Sequence, residues 1–239
     1  MHPTVPFWTA AIVLLLALMI VSNSIKEKRE AIQYSLTEEK PKINYKKEIN
    51  PSTLYILFAI FFWFVAYQGI EALFTLFATN VYGMTDGQAS LTLSFFALSF
   101  LLFAIPSGFL GAKFGKKRII MIGIIGLIVV FLSVNLIDSM WMLRTLLFIG
   151  GLFWACININ SYPFIVSTGS EEAIGTRTGL YYLVSSLAAI TGPPLMGYIV
   201  DLTNYNWLFV VAASCMAVAL ISIICVRHTG KSEEQSVQS

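Results

Sequence analysis

Residues 88–137 read QASLTLSFFALSFLLFAIPSGFLGAKFGKKRIIMIGIIGLIVVFLSVNLI, two apolar stretches separated by the basic cluster KFGKKR at 113–118. Each stretch has roughly the 20 mostly apolar residues that an α-helix needs to cross a lipid bilayer. Because the connecting cluster is short and positively charged, it is expected to lie at the membrane surface. This segment therefore predicts two neighbouring transmembrane helices.

The same pattern extends over the whole 239-residue chain, of which 57% is hydrophobic and 12% charged. A soluble domain carries about a quarter charged residues. A membrane β-barrel would show alternating segments of about 10 residues, so that fold is excluded. The sequence predicts an all-α membrane protein with seven transmembrane helices, near 5–24, 53–82, 88–112, 118–137, 140–167, 177–203 and 206–226.

Basic residues predict the orientation of these helices. Fourteen of the fifteen Lys and Arg residues lie in alternate connections, at 26–47, 113–118, Arg177 and 227–231. The exception is Arg144, which is expected to anchor the fifth span at the lipid headgroups. Pairing with Asp138 or Glu71 is the alternative. By the positive-inside rule, the basic connections lie in the cytoplasm. We therefore expect a multi-pass protein of the cell membrane, with its amino terminus outside and its carboxyl terminus in the cytoplasm.

The spans divide into one plus six. We expect residues 1–25 to form a single transmembrane helix, 26–50 a cytoplasmic loop, 51–228 a six-helix bundle, and 229–239 a disordered cytoplasmic tail. Two consecutive triplets of helices run in opposite directions, as in the inverted repeats of secondary transporters.

Three prolines interrupt the second triplet. Pro163 falls late in the fifth span, and Pro193 and Pro194 fall in the sixth. Proline lacks a backbone donor, so kinks or breaks are predicted there.

The junction after the third span carries a short motif, GFLGAKFGKK at 108–117. It resembles the loop signature G-x-x-x-D-[RK]-x-G-[RK]-[RK] of the major facilitator superfamily, with Ala112 in place of the Asp. The matching positions are Gly108, Lys113, Gly115, Lys116 and Lys117. This degenerate form resembles the family's second copy of the motif, between spans eight and nine. The resemblance implies that the bundle is the carboxyl-terminal half, 26–50 the central cytoplasmic loop and 1–25 the family's sixth span.

Two segments of the sixth span, GTRTGLYY at 175–182 and TGPPLMG at 191–197, resemble sugar-cation symporters of the sucrose-proton and glycoside-pentoside-hexuronide type. This resemblance implies a sugar substrate, a proton or cation gradient and alternating access. Since the chain corresponds to about half of a twelve-span carrier, it further implies a partner: an amino-terminal half or a second copy. A truncated, non-transporting membrane partner or sensor is the alternative.

The second span contains an acid within the membrane, Glu71. A charge at the bilayer centre costs about 2.5–3.5 kcal/mol, so this carboxylate is expected to face protein or water. Tyr67, Gln68 and Thr75 share its helix face. This stripe suits binding of sugar hydroxyls or carriage of a proton. The alternatives are a neutral acid bonded to a neighbouring helix, or pairing with a cationic drug or amino acid.

The later spans offer further candidates. Trp154, Asn158 and Tyr162 share one face of the fifth span, and Tyr182 lies in the sixth. An aromatic ring beside amide groups is typical of sugar sites. Amides also join helices in lipid, and tyrosines anchor helices at the membrane surface. Both interpretations stay open.

Arg177, with Glu171 and Glu172, is a candidate for a cytoplasmic gate latch that also involves Lys113. Solvated loop charges are the alternative, because exposed ion pairs contribute only about 0–1 kcal/mol.

Nothing in the sequence favours an enzyme. Both histidines are terminal, the three cysteines lie inside spans without metal-ligand spacing, and no phosphate-binding loop is present. We therefore expect no catalysis, no metal, no cofactor and no ATP-driven transport. The net charge of +2 is too small to indicate a nucleic-acid partner.

Overall fold

The computed structural model describes residues 5–24, 51–170 and 173–226, and within these ranges the regular elements are helices. The seven α-helices are α1 (Val5–Ser24), α2 (Pro51–Tyr82), α3 (Asp86–Phe114), α4 (Lys116–Val134), α5 (Met140–Val166), α6 (Ile174–Leu202) and α7 (Trp207–Cys225). Their ends differ from the predicted spans by at most three residues. The all-α prediction is confirmed.

Six of these helices, α2 to α7, are long and apolar enough to cross a membrane. The chain divides into two compact units, Met1–Lys42 and Ile43–Ser239, so α1 belongs to the first and α2 to α7 to the second. The described side chains of α1 are exposed, and its crossing of the membrane stays a prediction. The predicted loop at 26–50 and tail at 229–239 lie outside the described residues.

The packing of α2 to α7 repeats between the two triplets. In the first triplet, α2 packs most extensively on α6 and α7; in the second, α5 packs most extensively on α3 and α4. The helices α4 and α7 also contact each other. Exchanging α2 with α5, α3 with α6 and α4 with α7 leaves this pattern unchanged. The bundle is therefore a 3+3 repeat, as predicted.

Hydrogen bonds at the helix ends show that α4 and α7 are antiparallel. Lys117 Nζ, at the start of α4, donates to the carbonyl oxygens of Ile224 (3.3 Å) and Val226 (2.7 Å) at the end of α7. Asn135 Nδ2, at the end of α4, donates to the carbonyl oxygen of Asn206 (2.9 Å) before α7. At that second end, the Tyr82 hydroxyl donates to the carbonyl oxygen of Ile137 (2.6 Å). We call these two ends the Lys117 end and the Tyr82 end.

Short turns connect the first triplet. Gly83 has φ +64°, and Thr85 caps α3 by exchanging hydrogen bonds with Gln88 (3.3 and 3.0 Å). Gly115 is the single residue between α3 and α4, with φ +91°. Side chains disfavour positive φ, so the glycine of the basic motif is required by the turn itself.

Small residues bring the paired helices close together. A Cβ atom on Gly151 of α5 would overlap the carbonyl oxygen of Phe96 and lie 2.8 Å from Ser99 Cβ, both on α3. In the equivalent α2–α6 pair, a Cβ atom on Gly192 would lie 2.8 Å from the carbonyl oxygen of Val65. Close backbone contact at small residues is how membrane helices associate without a hydrophobic driving force.

Polar side chains add to the α3–α5 pair. The Ser107 hydroxyl donates to the carbonyl oxygen of Ala155 (3.0 Å), and Asn160 Nδ2 donates to that of Ser107 (3.2 Å). Both side chains are buried, so these hydrogen bonds join the helices away from water.

The structure corrects the expected position of Arg144. Its side chain is only 6% exposed. The Nε atom donates to Thr92 Oγ1 on α3 (3.2 Å), and the guanidinium carbon lies 4.8 Å from the ring centroid of Trp141. Anchoring at the headgroups is wrong, because a hydroxyl and aromatic rings accommodate the charge inside the bundle. Within the described residues it forms no ion pair with Glu71 or Asp138.

We predict that Gly151→Ala destabilises the bundle by about 1–3 kcal/mol, since the new methyl group must separate two backbones in contact. Thermal unfolding of the purified chain in detergent measures this as a lower midpoint. Gly197→Ala in α6 is the matched control, because no atom lies within 4 Å of the place that its new methyl group would occupy. Equal midpoints for the two variants would contradict the close crossing.

We also predict that Thr92→Val destabilises the bundle by about 1–3 kcal/mol, since it removes the oxygen that accepts from a buried guanidinium. The same thermal measurement applies. Thr145→Val is the control, because its exposed hydroxyl bonds only within α5, to the carbonyl oxygen of Trp141 (3.0 Å). A loss no larger than in the control would show that Thr92 does not stabilise Arg144.

Candidate solute-binding cavity

A cavity of about 480 Å³ opens between α2, α3 and α5, with one contribution from α4. Small-molecule sites in proteins are typically about 300–1,000 Å³. The lining is mostly aromatic and aliphatic, with four hydrogen-bonding side chains besides those of Tyr67 and Trp154. The lining residues are Tyr67, Ile70, Glu71, Ser90, Leu93, Ser94, Phe96, Ala97, Phe100, Phe131, Leu147, Trp154 and Asn158.

Two aromatic rings from different helices form one wall. Tyr67 of α2 stacks on Trp154 of α5, with ring centroids 4.3 Å apart and planes 7° apart. Phe64 meets Trp154 edge-on (5.7 Å), and Phe96 lies 6.1 Å from Tyr67. Trp154 is only 3% exposed. The indole face on which a sugar ring was expected to lie is therefore covered by Tyr67.

Glu71 is the one charged residue among the cavity-lining residues. It is exposed, although it lies well inside the membrane-length helix α2. Tyr67 lies one turn away on the same helix and lines the same cavity. Within the described ranges, no three His, Cys, Asp or Glu side chains lie close enough to share a metal ion. The cavity thus combines an acid, hydroxyl and amide groups, and an aromatic surface.

Four of the predicted site residues meet at this cavity, from two helices: Tyr67, Glu71, Trp154 and Asn158. Gln68 and Thr75 are partly buried on α2 and do not line it. The contribution of α3 was not predicted from the sequence. Ser90, Ser94 and Ala97 lie at helical spacing on one face of this helix. Small and polar residues at that spacing within an apolar span are the sequence signal that could have indicated this part of the site.

Tyr162 and Tyr182 lie elsewhere, in a cluster with Tyr181 between α5 and α6. The centroids of the three rings are 5.4–6.3 Å apart. The Tyr162 hydroxyl bonds to Thr178 Oγ1 and the Tyr181 hydroxyl to Ser161 Oγ, each at 3.1 Å. Tyr181 also meets Phe64 edge-on (6.3 Å). Because Phe64 contacts both Tyr181 and Trp154, this cluster is connected to the aromatic wall of the cavity.

The predicted gate residues surround the Lys117 end. Lys113 is exposed on the last turn of α3, with its Nζ 5.4 Å from the Phe114 ring centroid. Arg177 is buried, 1% exposed, and its Nη2 donates to the carbonyl oxygen of Ser170. It is therefore not a solvated loop charge. Glu171 and Glu172 lie outside the described residues, so the latch stays a prediction.

The remaining predicted positions lie on the helices and do not line the cavity. Gly108 of α3 faces Ile159 of α5, where a Cβ atom on the glycine would lie 3.6 Å from Ile159 Cγ2. Lys116 opens α4. The helices α5 and α6 run unbroken through Pro163, Pro193 and Pro194, so no break occurs, and bending there stays a prediction.

Comparison with known proteins places the chain in a family of transporters. Residues 80–238 match the Major Facilitator Superfamily. Siderophore iron transporter 2 of Schizosaccharomyces pombe is 29% identical over 146 residues, covering 58% of this chain and 24% of that protein. Chloramphenicol resistance protein CraA of Acinetobacter baumannii is 25% identical over 192 residues (79% and 46%). Monocarboxylate transporter 7 of Homo sapiens is 24% identical over 225 residues (86% and 42%).

The chain spans less than half the length of each of these relatives. The family match itself covers well over half of the chain and contains α3 to α7 completely. With its repeated triplets and its central cavity, this chain belongs to the Major Facilitator Superfamily.

Proposed function

We propose that this chain is the carboxyl-terminal half of a secondary active transporter, which moves a small organic solute by alternating access with a proton gradient. The observation that carries the proposal is the position of Glu71, exposed on a cavity wall within a membrane-length helix. A carboxylate facing lipid at that depth would cost about 2.5–3.5 kcal/mol. The open side of the cavity therefore faces water or another part of the carrier, and Glu71 is placed to bind the proton.

The exposed faces of α3 and α6 support a partner in the membrane. In the most apolar stretch of each helix, only 11% of the residues of α3 and 17% of those of α6 are buried. The corresponding share is 50% in each of α2, α4, α5 and α7. These two helices are equivalent under exchange of the triplets. We propose that an amino-terminal half, or a second copy of the chain, covers both faces and closes the cavity. Residues 1–25 are then the sixth span of the carrier, and the Lys117 end is cytoplasmic.

A glycoside is the solute that we propose first. Asn158, Glu71 and the α3 hydroxyls offer hydrogen bonds to a sugar, and the resemblance of the sixth span to sugar-cation symporters favours the same class. The predominantly apolar lining suits a substituent on that sugar better than a second sugar unit. An aryl or alkyl glycoside therefore fits the cavity better than a free disaccharide.

An amphipathic organic cation is the second candidate. A single carboxylate among five aromatic rings, those of Tyr67, Phe96, Phe100, Phe131 and Trp154, also suits an ammonium group with an apolar body. The relatives carry names of siderophore, chloramphenicol-resistance and monocarboxylate proteins, none of which refers to a sugar. The solute must therefore be tested directly.

We predict that Glu71→Gln lowers solute accumulation in cells that make the whole carrier by roughly 10- to 150-fold, the loss expected for hydrogen bonds to a charged group. Accumulation of radiolabelled solute under an imposed pH gradient is the measurement. Asp201→Asn makes the same chemical change at the exposed end of α6, away from the cavity, and should have no effect. Unchanged accumulation in Glu71→Gln would reduce Glu71 to a packing residue. If the parent protein binds solute but does not accumulate it in cells, the non-transporting sensor is favoured.

We predict that 4-nitrophenyl glucoside binds the purified chain more tightly than either sucrose or tetraphenylphosphonium, because it combines hydroxyl groups with an apolar ring. Calorimetric titration in lipid nanodiscs gives the three affinities. Trp154→Ala should weaken binding of the glucoside by about 10-fold or more, as expected for loss of a stacking and packing surface. Tighter binding of tetraphenylphosphonium than of the glucoside would favour the organic-cation carrier instead.

A further inference from the structure

The aromatic wall of the cavity is closed in the structure. Tyr67 covers one face of Trp154 at stacking distance (4.3 Å), and Phe64 meets the same indole edge-on. Since Trp154 is only 3% exposed, a solute cannot stack on it in this arrangement. The ring that is best suited to hold an apolar or sugar face becomes available only if Tyr67 moves.

Two groups hold Tyr67 in this position. Its ring lies against Trp154, and Glu71 lies one turn further along the same helix face, where both side chains line the cavity and the phenol is within reach of the carboxylate. A phenol donates more strongly to an ionised carboxylate than to a protonated one. The ionised form of Glu71 therefore favours the closed position of Tyr67, and its protonation weakens one of the two restraints.

We propose that Tyr67 is a shutter over Trp154, held shut by ionised Glu71 and released when Glu71 takes up a proton or is engaged by solute. The inference rests on the proposed function, since it assigns the exposed indole face to a solute. Solute stacking and protonation of Glu71 both favour the open shutter, so each promotes the other by linkage. Tyr67 is then the positioning residue through which proton binding and solute binding are coupled.

No other titratable group of the described chain lines this cavity. The lining residues from α3, α4 and α5 carry hydroxyl, amide, aromatic or aliphatic side chains. Tyr181 meets Phe64 edge-on, and its hydroxyl is bonded to Ser161 (3.1 Å). Arg144 of α5 is buried against Thr92 and lies outside the lining. A pH response of Trp154 therefore reports on Glu71 acting through Tyr67.

The test follows tryptophan emission of the 239-residue chain in lipid nanodiscs, without solute, from about pH 8 to about pH 4, a range that includes the ordinary pKa of glutamate. The chain has five tryptophans, so Trp154→Phe identifies the part of the signal that belongs to Trp154. Tyr67→Phe keeps the stacked ring and removes only the hydroxyl. Tyr181→Phe removes a hydroxyl at the other side of Phe64 and is the matched control.

We expect the parent and Tyr181→Phe to show an acid-induced change in emission, and Trp154→Phe, Tyr67→Phe and Glu71→Gln to lack it. The shutter is overturned if the parent shows no change that depends on Trp154. It is equally overturned if Tyr67→Phe titrates as the parent does, because the hydroxyl is then not the link.

A second arm measures coupling with 4-nitrophenyl glucoside as the probe. In the parent, its affinity should rise at least about fivefold on acidification, the lower end of typical coupling between two sites. In Tyr67→Phe, the rise should fall below about twofold, with folding confirmed by an unchanged unfolding midpoint. If the glucoside does not bind at all, the glycoside assignment fails while the solute-free emission test still decides the shutter.

Discussion

The rest of the structure depends on one constraint: within hydrocarbon, every charge and every backbone polar group must find a partner in the protein or in water. Arg144 and Glu71, two ionisable side chains on the membrane-length helices, satisfy it in opposite ways. Arg144 is buried, bonded to Thr92 and packed against aromatic rings. Glu71 is exposed on the cavity wall. The first is therefore part of the packing between α3 and α5, whereas the second requires a polar space beside it.

The repeated packing of the triplets gives the cavity an aromatic counterpart. The cavity lies between α2, α3 and α5. Exchange of the triplets converts these helices into α5, α6 and α2, and there the rings of Tyr162, Tyr181 and Tyr182 contact one another, with Tyr181 edge-on to Phe64. The two equivalent helices thus contribute different side chains: α6 contributes two tyrosines to the cluster, whereas α3 contributes serines and an alanine to the cavity lining.

Much of the fold could be predicted from the sequence because long apolar spans have one solution in lipid. Helix ends were within three residues, and the short basic cluster at 113–118 correctly indicated the connection between α3 and α4, where Gly115 forms the turn. The candidate site was predictable only in part. Glu71 stands out as an acid in an apolar span, but its neighbours from α3 do not, because serine and alanine are common in membrane helices for packing alone. The burial of Arg144 was not predictable, since a long side chain near a helix end can equally reach the surface.

The sequence by itself determined the number of helices, their approximate ends and the family resemblance, because hydropathy acts locally along the chain. Only the tertiary structure decided which helices pair and which side chains meet between them. The stacking of Tyr67 on Trp154 joins residues far apart in sequence, and glycines determine how closely α3 approaches α5 and α6 approaches α2. Distances between helices are set by the packing of several helices against one another, and the sequence of a single span does not specify them.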